Sequence, residues 1–169
     1  MDSPGPILFS QLRYGKDRKH FRIYKFRTMF WDERKNSSSI VIQAASNDQR
    51  LTRTGAFLRR TNLDELPQFW NVLCGDMSIV GPRPHAPKTM IGSHSYEEIV
   101  TDFERRHAVR PGITGPAQIS GFHGPIPDLA AAKRRFELDV RYTQKASLWQ
   151  DCKIIAVTIT QQFFSRSCF

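Results

Sequence analysis

The sequence is poor in cysteine and has no long apolar run. Its three cysteines, Cys74, Cys152 and Cys168, have no paired spacing. They therefore predict neither a disulfide framework nor a cysteine metal cluster, and a reducing, cytosol-facing compartment is the simplest inference. Since no run of about eighteen apolar residues occurs, we expect nothing in this chain to span a bilayer. No secretory signal is visible either, because Asp2 and Ser3 lead directly into a Pro-Gly-Pro turn.

Acidic residues are outnumbered by basic ones, 16 against 25, which gives a formal net charge of +9. An excess of this size indicates an anionic partner, which could be nucleic acid, a membrane surface or a phosphorylated substrate. The 40% hydrophobic content is typical of a globular chain, and we expect one domain over residues 1–169. The histidines show no metal-ligand spacing, and only His85, after a Pro-Arg-Pro turn, is a candidate for contact with a substrate.

The main candidate site lies between Arg59 and Leu73. Apolar residues recur there at the spacing of a helix with one buried face: Leu63, Leu66, Phe69 or Trp70, and Leu73. The preceding Thr-Asn pair fits a capped helix start, and Pro67 fits the first turn. Asp64 and Glu65 would then lie at the positive end of the helix dipole, which keeps both carboxylates ionised. Ionised carboxylates suit a nucleophile or a metal ligand, and the alternative is that they are ordinary helix-start acids.

Cations elsewhere in the chain are candidates for binding phosphate. Lys25 and Arg27 project from one face of a strand predicted over residues 20–30, as a phosphate or carboxylate clamp or as a solvated strand edge. Arg83 lies between two prolines that fix the backbone, which suits an oxyanion ligand, although a surface loop explains the pattern equally well. Arg110 opens a glycine-rich turn whose backbone N–H groups could approach a phosphate.

The sequence predicts an α/β fold with a small mixed or antiparallel sheet surrounded by helices, several of them amphipathic. Further strands are expected near residues 7–9 and 79–80. Helices are expected over about 95–107, with Tyr96, Ile99, Val100 and Phe103 as a buried stripe, over about 129–142, capped by Asp128, and over about 147–163. The last helix carries an apolar stripe at one side: Leu148, Trp149, Cys152, Ile155, Ile159 and Phe163. Such a stripe packs in a core or lies on a membrane interface.

Six motifs follow one another in a characteristic order. They are Lys-Phe-Arg-Thr-Met from position 25, Asp-Glu-Leu-Pro-Gln from 64, Gly-Asp-Met-Ser from 75, Gly-Pro-Arg-Pro from 81, Arg-Pro-Gly-Ile-Thr-Gly from 110 and Ser-Leu-Trp from 147. Over about residues 2–163 this order resembles the catalytic domain of the bacterial sugar transferases, the monotopic polyprenyl-phosphate phosphoglycosyl transferases. The hydrophobic N-terminal helix of that family is missing, so we expect a fragment of a longer membrane-bound protein.

The resemblance implies a reaction and a cofactor. A UDP-sugar, with glucose or galactose favoured, would give its sugar-1-phosphate to undecaprenyl phosphate and release UMP, initiating exopolysaccharide, capsule or O-antigen biosynthesis. The family's nucleophilic aspartate corresponds to Asp64, which would form a covalent phosphosugar intermediate. The glutamate that binds Mg²⁺ in the family corresponds to Glu65. Lys25, Arg27, Arg59, Arg83 and Arg110 would be the cations around the substrate phosphates.

The resemblance also implies a location and partners. We expect the cytoplasmic face of a bacterial inner membrane, contact with anionic lipid, and no nucleic-acid partner, and we leave a homo-oligomer open. The main alternative is a basic nucleic-acid-binding module without catalysis, which rests on the net charge alone. A second alternative, a catalytically silent membrane-associated scaffold, is disfavoured because both carboxylates are present.

Overall fold

A computed structural model of the chain describes residues 2–31, 48–87, 89–122, 124 and 126–164. Cys168 and the side chain of Phe163 lie outside this description. The strands are β1 Leu8–Tyr14, β2 His20–Phe26, β3 Ser78–Val80, β4 Met90–Ile91, β5 His94–Ser95 and β6 Gly112–Thr114. The α-helices are α1 Arg53–Arg60, α2 Gln68–Leu73, α3 Tyr96–Ile99, α4 Pro116–Ile119, α5 Leu129–Lys145 and α6 Leu148–Phe164. Short 3-10 helices cover Lys16–Arg18, Leu63–Glu65 and Phe103–His107. The predicted α/β class is confirmed.

The strands form separate pairs. Within the described ranges, β1 and β2 make an antiparallel hairpin, β3 and β6 a parallel pair, and β4 and β5 a second antiparallel pair. The small sheet that was expected is thus divided into three two-stranded sheets among the described residues. The parallel pair is bounded by prolines on both strands, at positions 82, 84, 111 and 116. Because proline has no backbone N–H to donate, it stops a ladder from growing.

The hairpin β1–β2 provides the support for α1. Strand β2 ends at Phe26, four residues before the predicted end, and the chain continues as an isolated bridge between Met29 and Leu51. Helix α1 packs closely against this continuation, since a Cβ on Gly55 would lie 1.9 Å from the Thr28 carbonyl oxygen. Thr52 caps the helix by accepting a hydrogen bond from the Gly55 N–H at 2.9 Å. The contact places the end of α1, and hence the candidate site, beside β2.

Two clusters of buried apolar residues form the core. One consists of Ile91, Tyr96, Val100, Phe103 and Ala132, and the other of Val80, Tyr142 and Ile154. The first confirms most of the stripe expected for residues 95–107, although that segment is not one helix. Helix α3 ends at Ile99, and Asp102 adopts the left-handed conformation, which an α-helix does not accommodate. Asp128 caps α5 through the Ala131 N–H, as predicted.

Helices α2 and α6 expose the apolar residues that the sequence suggested as buried faces. On α2 and the turn before it, Leu63, Leu66, Phe69, Trp70 and Leu73 are exposed. On α6, Leu148 is 85% and Trp149 71% exposed, whereas Ile154 is buried. Both helices contact β3, whose Ile79 is also exposed. The buried-face prediction for α2 was therefore wrong. Of the α6 stripe, Ile155 packs against the core, whereas Leu148, Trp149, Cys152 and Ile159 are exposed. Among the helices of the described residues, none is long and apolar enough to cross a membrane.

Candidate active site

Asp64 and Glu65 lie in the 3-10 helix Leu63–Glu65, which we call the dyad turn. It follows α1 directly: Thr61 ends that helix, and Asn62 adopts the left-handed conformation with φ 54°. Asparagine tolerates this conformation better than most residues. The Asn62 side chain does not cap the turn, and α2 starts only after Pro67. The prediction of one capped helix was therefore wrong. Asn62, in its left-handed conformation, separates the dyad turn from α1, and Pro67 lies between the dyad turn and α2.

Glu65 is clamped by two cations. Lys25 Nζ lies 2.6 Å from Glu65 Oε1, and Arg83 approaches both carboxylate oxygens, with Nη2 at 2.5 Å from Oε1 and Nη1 at 3.3 Å from Oε2. All three side chains are mostly buried. Charge-assisted bonds of this kind are stronger than neutral ones, and the two-pronged arginine contact also fixes the orientation of the carboxylate. The structure thus brings together residues that the sequence places up to 58 positions apart.

Asp64 is 7% exposed and is left without such partners. Within the described ranges its carboxylate makes no hydrogen bond or ion pair, although Lys25, Arg59 and Arg83 are close enough to interact with its charge. Arg59 is fixed by a hydrogen bond from its Nε to Thr28 Oγ1 at 3.0 Å. The result is a buried carboxylate in a positive environment with both oxygens available to another group.

The two carboxylates titrate in opposite directions. Burial raises the pKa of Asp64, and the positive charge of Lys25 opposes that rise. Burial would also raise the pKa of Glu65, but Arg83 and Lys25 outweigh it and hold that pKa well below its usual value. The shift of Asp64 is opposite to the one expected from a helix start. Environments that shift the pKa values of two carboxyl groups in opposite directions are typical of sites where the groups have different roles.

The predicted cations do not all converge on the dyad turn. Lys25, Arg59 and Arg83 do, but Arg27 turns to the N-terminal segment. Its Nε donates to Pro6 O at 2.6 Å, and its Nη1 and Nη2 bind Ser3 Oγ and Ser3 O at 2.5 and 3.0 Å. Arg110 is exposed, near Gly75. The substrate contacts expected of Arg27 and Arg110 stay predictions.

Arg83 is held in place through its backbone. Arg106 Nη2 donates to the Arg83 carbonyl oxygen at 3.0 Å and to Asp139 Oδ2 at 2.5 Å. Arg106 Nη1 also contacts His85 Nδ1. The Arg106–Asp139 ion pair is buried, with side chains 2% and 0% exposed. A buried charge network of this kind restricts the Arg83 backbone and thereby aims its guanidinium at Glu65.

The glycine-rich turn serves strand packing. A Cβ on Gly112 would lie 2.1 Å from Gly81 N, and one on Gly81 would lie 2.4 Å from Arg110 O. Any side chain at either position would separate β3 from β6. The Gly112 N–H already donates to Pro82 O at 3.0 Å, so it is not free for a phosphate. The close contact sets the start of the Pro-Arg-Pro segment that carries Arg83.

Several residues of this region were missed by sequence reasoning. Asp139 carried a usable signal, because it continues the helical spacing of Ala132 and Phe136, which face the core. A charged residue in such a register needs a buried partner. Nothing in the sequence identified Arg106 as that partner. His85, the candidate for contact with a substrate, packs against the rings of Tyr96 and Phe103, and its substrate contact stays a prediction.

Asp64 and Glu65 are the acidic side chains of the site that could bind a divalent metal. Among the described residues, no group of three or more histidine, cysteine or acidic side chains is arranged to hold an ion. Magnesium, however, is usually bound by one or two carboxylates together with water and substrate phosphates. Asp64 has both oxygens available, and Glu65 Oε2 accepts only the 3.3 Å bond from Arg83. The adjacent pair therefore fits a magnesium ion of this water-rich type.

Comparisons with known proteins point to one family. Residues 1–165 match the family model described as bacterial sugar transferase. The chain is 45% identical over its whole length to the UDP-glucose:undecaprenyl-phosphate glucose-1-phosphate transferase of Escherichia coli, covering 35% of that protein. It is 48% identical over 162 residues to the exopolysaccharide production protein PSS of Rhizobium leguminosarum, covering 96% of the chain and 80% of the relative.

A third relative has a different sugar in its name. The UDP-N-acetylgalactosamine-undecaprenyl-phosphate N-acetylgalactosaminephosphotransferase of Aeromonas hydrophila is 42% identical over 159 residues, covering 94% of the chain and 36% of that protein. The chain spans about a third of the length of most of the curated relatives it matches, PSS being an exception.

Proposed function

Because this chain belongs to the bacterial sugar transferase family, we propose that it transfers a sugar-1-phosphate group from a UDP-sugar to undecaprenyl phosphate and releases UMP. The observation that carries the proposal is the buried Asp64 carboxylate, unpartnered within the described residues and set beside a clamped Glu65. The names of the Escherichia coli relative and of a galactosyl transferase from Streptococcus agalactiae support glucose or galactose as the sugar. The relative named for exopolysaccharide production supports a role in the first step of glycan assembly.

In the first half-reaction, a carboxylate oxygen of Asp64 attacks the phosphorus that carries the sugar. The bond from this phosphorus to the bridging oxygen of the diphosphate breaks, and UMP leaves with the bond's electron pair. The product is a phosphosugar joined to Asp64 as an acyl phosphate. Asp64 suits this role because its oxygens make no internal bond in the described part of the chain and its raised pKa marks a more basic carboxylate.

In the second half-reaction, a phosphate oxygen of undecaprenyl phosphate attacks the same phosphorus. The bond to Asp64 breaks, which regenerates the carboxylate and forms the lipid diphosphate sugar. Each half-reaction concentrates negative charge around the transferred phosphorus. Lys25, Arg59 and Arg83 supply fixed positive charge at this place, and preorganised charge is the main requirement for phosphoryl transfer.

Glu65 has two proposed roles. Its contacts with Lys25 and Arg83 hold both cations beside Asp64. Its free lone pair on Oε2 and the oxygens of Asp64 would hold a magnesium ion together with the substrate phosphates. When bound, such an ion neutralises part of the diphosphate charge. Arg27 and Arg110 remain proposed substrate contacts on the grounds of the motif resemblance alone.

We also propose that the protein works at the cytoplasmic face of a bacterial inner membrane. The acceptor named by the relatives is a lipid phosphate. Support comes from the exposed apolar residues on α2 and α6, which both pack on β3, together with the net charge of +9. Apolar side chains enter the headgroup region and basic residues attract anionic lipid.

Intact-protein mass spectrometry tests the covalent step. The protein is incubated with magnesium and a panel of UDP-sugars without acceptor, beside Asp64→Asn and the matched control Asp102→Asn. Asp102 is exposed and lies in a left-handed conformation that asparagine tolerates. We expect a hexose-phosphate or N-acetylhexosamine-phosphate mass increase on wild type and on the control only.

An equal increase on Asp64→Asn would remove Asp64 from the role of nucleophile. If no variant gains mass, UMP release is measured with the membrane-embedded protein and undecaprenyl phosphate. Absence of UMP release in that assay would refute the proposed function.

A further inference from the structure

A cleft adjoins the Lys25–Glu65–Arg83 clamp. It is lined by Arg13, Ile23, Lys25, Gln68, Arg83 and Pro84, and encloses about 250 Å³ including the part open to solvent. Three of these six residues are cations, and none is acidic. Arg13 comes from β1, Lys25 from β2, and Gln68 from the first position of α2. Arg13 lies outside the six sequence motifs, and Gln68 is the last residue of the Asp-Glu-Leu-Pro-Gln motif, with no role predicted for it.

Two buried polar groups of the cleft lack a partner. Arg13 Nε and Gln68 Nε2 are shielded from solvent, and neither has a hydrogen-bond partner in the described part of the chain. Gln68 is 2% exposed, so bulk water does not satisfy its amide. Both atoms are N–H donors. Because a buried donor without an acceptor is costly, the pair indicates that an acceptor occupies the cleft in the working protein.

The charges around the cleft are also unbalanced. Arg13 donates through Nη2 to the neutral Gln11 Oε1 at 2.5 Å and has no ion pair among the described residues. Burial lowers its pKa to about 10, and the neighbouring Arg83 adds to the effect, so Arg13 stays charged at neutral pH. Glu65 is nearby, but its single negative charge is already shared between Lys25 and Arg83. A further negative charge would offset the excess.

We propose that this cleft is a subsite for a phosphoryl oxyanion, which accepts hydrogen bonds from Arg13 Nε and Gln68 Nε2. Guanidinium and amide donors that line one cleft match the acceptor oxygens of a phosphate. The inference rests on the proposed function, because the phosphate is supplied by one of its two substrates. It is either the diphosphate of the UDP-sugar or the phosphate of the lipid acceptor, and both present the same chemistry.

Separate measurement of the two half-reactions tests the subsite. Arg13→Gln and Gln68→Met each remove a donor at similar size, and Arg22→Gln is the control, because Arg22 is exposed on the same hairpin. In a two-step mechanism, kcat/KM for the donor comes from the rate of adduct formation and kcat/KM for the acceptor from adduct consumption. We expect each test variant to lose about tenfold or more in one of these constants, and the control to lose neither.

The affected constant identifies the source of the phosphate. A lower kcat/KM for the UDP-sugar assigns the cleft to the donor diphosphate, and a lower kcat/KM for undecaprenyl phosphate assigns it to the acceptor. If both constants stay at the wild-type value in both variants, the cleft holds only water and the inference is wrong, while the transferase proposal stands.

Thermal unfolding with added UMP or inorganic phosphate gives a readout that needs no turnover. We expect either ligand to raise the Tm of wild type and of Arg22→Gln, and to raise that of Arg13→Gln much less. If the ligands give this pattern but the protein forms no adduct and releases no UMP, the result would support the anion site and refute the transferase proposal. If Arg13→Gln does not fold, Gln68→Met carries the test, because it replaces a neutral side chain at nearly constant volume.

Discussion

Loss of the negative charge at Asp139 should destabilise the protein strongly. The Asp139→Asn substitution keeps the shape of the side chain but leaves Arg106 buried without its ion-pair partner at 2.5 Å. Arg106 would retain neutral partners: the Arg83 carbonyl, His85 and the amide oxygen of the new side chain. Removing one member of a fully buried ion pair costs about 3–5 kcal/mol of unfolding free energy. At about 2–4 °C per kcal/mol for a chain of this size, Tm should fall by roughly 6–20 °C.

A matched control lies two residues away on the same helix. Glu137 pairs with Arg134 at 3.4 Å, and its side chain is 58% exposed. Because exposed pairs contribute about 0–1 kcal/mol, Glu137→Gln should shift the unfolding midpoint little. Urea unfolding followed by circular dichroism, with the slope m compared between variants, measures both losses.

The double replacement Arg106→Met with Asp139→Leu sharpens the test. Apolar residues in place of both charges leave no isolated charge, so the double variant should be more stable than Asp139→Asn alone. A loss below about 1 kcal/mol for Asp139→Asn would contradict the reasoning, since such a value is typical of a solvated pair. The double variant should still lose transfer activity, because the Arg83 carbonyl would no longer be held by Arg106.

Two further outcomes are expected. Burial, with the charge of Arg106, lowers the pKa of His107 from 6.5 to about 3. As pH falls, His107 is therefore protonated in the unfolded chain before it is protonated in the folded protein. Between pH 7 and pH 5 this difference removes about 1–2 kcal/mol of stability. Urea midpoints at both pH values should differ less in His107→Phe than in wild type, and an unchanged difference would contradict the assignment. For membrane contact, Leu148→Ser combined with Trp149→Ser should weaken sedimentation with anionic vesicles about tenfold or more, whereas Gln150→Ser should not. Equal sedimentation of all three proteins would exclude this end of α6 from the lipid contact.

The fold could be predicted where the signal was local. The cap at Asp128 and the stripe of residues 95–107 rest on neighbours a few positions apart, and both were found. The number of sheets and the exposure of α2 could not be predicted in the same way. An apolar stripe indicates that a helix face avoids water, but it does not indicate whether protein or lipid covers that face.

The candidate site was predictable as a set of residues but not as an arrangement. Lys25, Glu65 and Arg83 could be named from the sequence, whereas their ion pairs depend on how β2, the dyad turn and the Pro-Arg-Pro segment meet. Net charge was a weaker guide. It predicted an anionic partner, yet three of the cations, Lys25, Arg83 and Arg106, bind carboxylates within the protein.

The dyad turn depends on a helix made much later in synthesis. Gln162 on α6 accepts a hydrogen bond from Asn62 Nδ2 at 2.8 Å and donates to Thr61 O at 3.1 Å, across about a hundred positions of sequence. The left-handed residue that aims Asp64 is thus secured by a segment that the ribosome has not yet made when the turn emerges. A nascent chain would carry Asp64, the proposed nucleophile, long before it carries this support. Catalytic competence should therefore appear late in translation, after α6 has been made and has docked.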